Sequence, residues 1–363
     1  MPHLGGFIML VRLETRRLQD AVKCVIISSL MFFFFGLPAC TLSCRAEGIG
    51  VIYTSEYEDK TIIDCLDGEL KYQNSITYPY SSMSYDGFMN SCVLGDVVYL
   101  NPRGLGGRLD YGKIVALNTT SMEVNEYDFG RVNIISHWAD EFCIYATSNL
   151  NGVCYLDRYD MRTGIVETVQ SDSVTLDSII VSEGIVYALG IDADSRYSLY
   201  SADFFGNRLT SVISLDQDEA PCFLVEHDGK ILFTFNSTLY IYDTRIDALN
   251  QYSLTGGKAF NLQAHGDNLY VGHTDLFSFS SSSIEVIDLG DMKVKTTFSH
   301  PSTILQIEVG DDANGSIYIM DYDSISVYRM NDDGEYNLHN RMELCPNTDQ
   351  YVGGFFLRQA YTK

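Results

Sequence analysis

The sequence predicts an all-β chain folded as a seven-bladed β-propeller of four-stranded antiparallel blades, closed by its C-terminal strand joining the N-terminal blade. Three observations predict it. A short apolar strand carrying an aromatic returns seven times, at Tyr53, Tyr99, Tyr145, Tyr187, Phe233, Tyr270 and Tyr318, at separations of 46, 46, 42, 46, 37 and 48 residues. A period of about 44 residues with several strands in it and no helical stretch is the mark of propeller blades. Tight turns rich in Gly, Asn and Asp recur at matching places in the period, and the two chain ends are complementary fragments of one blade.

Each period has the same internal order. A first apolar strand meets a tight turn, as at Leu94-Gly95-Asp96, Glu183-Gly184, His227-Asp228-Gly229, His265-Gly266-Asp267 and Ala313-Asn314-Gly315. Residues of this kind supply the positive φ that two-residue hairpins need. The second strand carries the aromatic. The third ends on Asp or Asn, as in Ile114–Asn118, Leu156–Asp160, Leu199–Asp203, Leu239–Asp243 and Ile284–Asp288, and a second turn leads to a fourth, outer strand such as Ile165–Val169.

The ends fix the blade count. The first period begins at its aromatic strand, Gly50-Val51-Ile52-Tyr53, with no strand before it, while an orphan strand, residues 351 to 357, follows the last. Pairing the two makes the orphan the innermost strand of the first blade and removes two exposed edges.

Residues 1 to 39 read as a signal peptide, 40 to 48 as a short linker and 49 to 363 as a single propeller domain. Arg12, Arg16, Arg17 and Lys23 precede an uncharged run, Cys24 to Ala39, too short for a permanent transmembrane helix and ordered as a secretory signal. Its end, Leu37-Pro38-Ala39-Cys40, resembles the bacterial lipobox, which implies lipidation at Cys40 and an exported domain held at the cell membrane by acyl chains alone. Cleavage near Ala46, an uncleaved anchor, a start at Met9 and a twin-arginine reading of Arg16-Arg17 are the alternatives.

Charge narrows the partners. The whole chain has 24 basic and 48 acidic residues. So acidic a protein repels phosphate backbones, and nucleic acid is excluded as a partner. Nine cysteines show no Cys-x-x-Cys pair, which removes zinc and thioredoxin-like readings and leaves disulfide pairing open.

Tyr159-Asp160-Met161-Arg162-Thr163-Gly164 resembles the Asp-x-x-Thr-Gly step of the quinoprotein-like and YVTN-type propeller repeats, and Asn268-Leu269-Tyr270-Val271-Gly272 resembles their aromatic strand. Trp138 is the single tryptophan, so the tryptophan closing the quinoprotein repeat is missing and the resemblance implies no quinone site. It admits a lactonase-like hydrolase or lyase acting in the axial channel.

Function on such a fold resides in loops. The loops joining second to third strands, and those entering the next blade, share one face. Two of the longest are residues 78 to 87 and 101 to 111, which offer Tyr78, Tyr80, Tyr85, Arg103, Arg108 and Tyr111 as ligand-binding side chains, with aromatic faces for stacking and guanidinium forks for oxygens. The expected partner is a carbohydrate, a peptide or another protein, bound by a monomeric binding or scaffold domain. His137, His227 and His265 read as turn residues on the opposite face. No cofactor is expected; calcium is the one that the spacing of Asp192-Ala193-Asp194-Ser195 and Asp311-Asp312-Ala313-Asn314-Gly315 brings to mind, and neither run extends to a full calcium loop. No nucleophile elbow or zinc-protease motif is present.

Overall fold

A computed structural model describes residues 45–85, 92–104, 112–215, 222–274, 281–311 and 315–360. These residues form one compact unit. It is a seven-bladed propeller, with each blade an antiparallel sheet numbered here from the N-terminus. Six blades have four strands; in blade 2 the inner strand is split into Met83–Ser84 and Cys92–Leu94, both paired with Val97–Pro102. The inner strands of blades 3 to 7 are Ile134–Ala139, Val174–Ser182, Cys222–His227, Ala259–His265 and Gln306–Val309.

The period has a packing cause. All seven anchoring aromatics are buried, none more than 7% exposed. Buried side chains form seven clusters, one at each joint between neighbouring blades; Tyr145 with Leu176 and Ile179, for example, fills the joint of blades 3 and 4. Each joint is a sheet face packed on a sheet face, so one large ring per blade supplies the wedge that keeps adjacent blades apart at the rim and together at the axis. The turns carry the predicted backbone: Glu183 and Gly184 have φ of 51° and 78°, Asp228 and Gly229 of 48° and 71°.

Closure occurs in blade 1. The strand Tyr351–Ala360 pairs with Arg45–Thr54, with Val51 opposite Phe355 and Gly50 opposite Phe356. Neighbouring blades then clasp it. Tyr85 donates its hydroxyl to the Phe355 carbonyl at 2.8 Å, Gln306 donates Nε2 to the same oxygen at 2.7 Å, and Phe355 N–H donates to Gln306 Oε1 at 3.0 Å. Gly354 has φ 128°, and a Cβ there would lie 2.8 Å from the Tyr85 ring, so the clasp needs glycine.

Because successive strands are antiparallel, connections between first and second strands and between third and fourth strands lie on one face, the turn face; the others lie on the loop face. Arg45 begins a second strand, so the chain enters the propeller on the turn face. Among the described residues Cys65, Cys143, Cys154 and Cys345 are free thiols, and no helix is long and apolar enough to cross a membrane.

Candidate functional site

On the loop side of the joint between blades 2 and 3, polar side chains meet. Asn101, at the loop end of its strand, donates Nδ2 to the Ile134 carbonyl at 2.9 Å. His137, 3% exposed, lies one hydrogen-bond step deeper, with Nε2 2.9 Å from the Tyr99 carbonyl. A carbonyl only accepts, so Nε2 carries the proton and Nδ1 is left as an acceptor. Burial pushes the imidazole down to about 4; the Tyr99 carbonyl works against this and the charge of Arg103 works with it. His137 is therefore neutral at ordinary pH.

Arg103 N–H donates to the Ser82 carbonyl at 3.3 Å, which ties the two loops together. Ser148 lies opposite Ile134 in the next strand, followed by Asn149, whose carbonyl accepts from Asn133 Nδ2 at 2.9 Å. Among the described residues, four of the buried side-chain polar atoms without a hydrogen-bond partner belong to this group: Asn101 Oδ1, Arg103 Nε, His137 Nδ1 and Ser148 Oγ. An unpaired buried polar group costs about 1–3 kcal/mol. A concentration of four is filled in solution by water or by a ligand.

The residues singled out from the sequence divide. Arg103 belongs to this group. Arg108, Tyr111 and Cys40 lie outside the described residues. Tyr78, Tyr80 and Tyr85 are buried, at 7%, 7% and 0% exposure, in the apolar wedge between blades 1 and 2. Their hydroxyls are committed: Tyr78 donates to the Met122 carbonyl and Tyr80 to Glu126 Oε1, both at 2.7 Å, and Tyr85 to Phe355. Burial pushes Tyr78 up to about 12 and raises Tyr80 and Tyr85 further. The rings hold the loop down instead of standing out from it. His137 is likewise not a turn residue; its strand runs past the expected turn, which comes at Asp140 to Phe142. The trace available in sequence was His137, a polar residue at the inner-strand position that Ile179, Leu262 and Ile307 hold in blades 4, 6 and 7.

A second feature lies on the axis. A cavity of about 260 Å³ is drawn from the later halves of the inner strands, at the turn end of the channel, and its polar lining includes Trp138, Glu226, Gln263, His265, Glu308 and Asp311. His265 Nε2 is 3.3 Å from Asp311 Oδ1. Glu226 Oε1 accepts from Gly229 N–H at 2.9 Å, and Glu308 Oε1 from Gln306 Nε2 at 2.8 Å. Among the described residues no three His, Cys, Asp or Glu side chains are grouped to hold a metal ion. Asp192, one of the calcium-like aspartates, accepts with Oδ1 from the Asp194 and Arg196 N–H groups of its own turn.

The chain is similar in structure to other β-propeller proteins. A periplasmic gluconolactonase of Pseudomonas aeruginosa superposes with a TM-score of 0.58 at 13% identity, over 84% of this chain and 99% of the other. A putative 6-phosphogluconolactonase of Bacteroides uniformis gives 0.58 at 10% identity, over 85% and 99%. The dihydro-heme d1 dehydrogenase NirN gives 0.52 at 12% identity, over 85% and 76%. The likeness shows the fold. Two named activities as different as lactone hydrolysis and dehydrogenation share it, so function has to be argued from the side chains. No family model and no curated protein matches the sequence.

Proposed function

We propose that the protein is an exported, membrane-tethered binding domain that takes a hydroxyl-rich ligand, a carbohydrate, at the loop face of blades 2 and 3. One observation carries the reading: the four unpaired polar atoms there comprise a fixed donor, Arg103 Nε, a hydroxyl, Ser148, and two acceptors, Asn101 Oδ1 and His137 Nδ1. Sugar hydroxyls donate and accept at once and complement such a set. A carboxylate or phosphate only accepts and would face two acceptors with one fixed donor. Neutral His137 adds no positive charge to hold an anion.

The test is a saccharide panel read by unfolding of the full-length protein. A ligand at 100 times its dissociation constant stabilises a fold by about 2.7 kcal/mol. That gain is lost in Arg103→Ala and in Ser148→Ala. A panel in which no saccharide stabilises the protein means that water alone fills the site and defeats the reading. For the tether, Cys40→Ala releases the protein into the medium; retention at the membrane counts against lipidation there.

The His265–Asp311 pair beside Glu226 and Glu308 favours a second reading, a lactonase-like hydrolase or lyase in the axial cavity, with an imidazole and carboxylates to move protons. Aldonolactone hydrolysis lost in His265→Gln supports it; no turnover above the uncatalysed rate ends it.

A further inference from the structure

Hairpin turns on a protein surface favour Gly, Asn, Asp and Ser because turn geometry and water both suit them. On the turn face of blades 3, 4 and 5 that rule breaks repeatedly. Phe142 is 70% exposed, Ile246 69% and Phe205 fully exposed, with Ile165 and Ile185 also in water. These five residues sit at or beside the tips of five turns in three consecutive blades. The turns are linked to one another. Met161 N–H donates to the Phe142 carbonyl at 3.0 Å within blade 3, the Tyr145 and Phe204 rings lie 6.3 Å apart across blades 3 and 4, and Arg245 bridges Glu183 and Asp228 at 2.6 and 3.0 Å across blades 4 and 5. An open groove of about 640 Å³ runs between the two turns of blade 3, lined by Phe142, Met161, Glu141, Asp160 and Arg162.

Large apolar side chains repeated along one surface mark a contact site. Charge says what contacts it. Six carboxylates, Glu141, Asp160, Glu183, Asp203, Asp228 and Asp247, stand among the apolar tips and outnumber the arginines there, Arg162, Arg208 and Arg245, of which Arg208 pairs with Asp203 at 3.3 Å and Arg245 with Glu183 and Asp228. A second copy of this acidic chain, or an anionic lipid surface, is repelled there.

We infer that the turn face of blades 3 to 5 docks a basic amphipathic segment of a partner protein, whose apolar side covers Phe142, Phe205 and Ile246 and whose lysines or arginines meet the intervening carboxylates. This surface is opposite the loop-face site and does not depend on it.

The test titrates the full-length protein with a labelled Leu/Lys amphipathic peptide and with its Leu/Glu counterpart, read by fluorescence anisotropy. The Lys peptide binds and the Glu peptide does not. Binding weakens with added salt, falls at least about tenfold in Phe142→Ser/Phe205→Ser, and is unchanged in Arg103→Ala. Both replaced side chains are exposed, so the double variant keeps the parent's unfolding midpoint, which separates lost docking from lost folding. Three results overturn the inference: a double variant that binds the Lys peptide as the parent does, capture by phosphatidylcholine vesicles with no peptide binding, or self-association abolished by the double variant with no peptide binding.

Discussion

Gln306→Leu tests the ring closure at its most concentrated point. The side chain makes two bonds to Phe355, accepting its N–H at 3.0 Å and donating to its carbonyl at 2.7 Å, and both partners are fully buried. Leucine fills a similar volume, so the change isolates the polar loss. It strands the Phe355 N–H at a cost of about 1–3 kcal/mol and removes the Nε2 donor to Glu308 Oε1 at 2.8 Å, which adds to the loss, while the carbonyl keeps the Tyr85 hydroxyl at 2.8 Å. Tyr85→Phe alone leaves the carbonyl with Gln306 and costs the lower end of that range. The double variant leaves the oxygen bare, so its loss exceeds the sum of the single losses, by about 0.5–3 kcal/mol for a shared partner. Urea unfolding followed by tyrosine fluorescence and by circular dichroism gives each value, with the midpoint moving and the slope unchanged. Strict additivity, or a Gln306→Leu loss below about 0.5 kcal/mol, refutes the clasp as the closure device.

Other consequences are as direct. Gly354→Ala destabilises by more than the usual glycine replacement, because its φ of 128° disfavours a side chain and the new Cβ meets the Tyr85 ring; unfolding in urea reads it. His137, held down to about 4 when folded against 6.5 when free, takes up a proton on unfolding between those values. Stability therefore rises with pH across that window and is lost on acidification, by up to about 3 kcal/mol from this residue. In His137→Phe that part of the pH dependence is gone; an unchanged slope between pH 4 and 6.5 contradicts the assignment. Phe205→Ser alone, at a fully exposed position, shifts stability by no more than about 0.5 kcal/mol, and a larger loss means that the side chain packs in solution.

The blades were legible because their causes are local. Turns such as Glu183-Gly184 announce their own backbone, and the ring of Tyr145 or Phe233 marks a strand whatever surrounds it. Closure was legible from arithmetic, since Gly50–Tyr53 lacks an inner partner and the strand ending in Phe355-Phe356 lacks a blade. The site was half legible. Tyr78-Pro79-Tyr80 has the composition of a surface loop, and only the approach of Met122, Glu126 and Phe355, distant in sequence by 44, 46 and 270 residues, turns its tyrosines inward. Arg103 could be picked from the sequence as a cation on an acidic chain. Asn101, His137 and Ser148 could not be joined to it, because their grouping depends on which strand faces which across the joint between two blades.

The most direct measurement of the loop-face reading is the ¹⁵N resonance of His137 Nδ1, followed while the saccharide that stabilises the protein is added. Binding moves Nδ1 toward the hydrogen-bonded position and leaves Nε2, bound to the Tyr99 carbonyl, where it was. A saturating saccharide that leaves Nδ1 untouched binds somewhere else and contradicts the account.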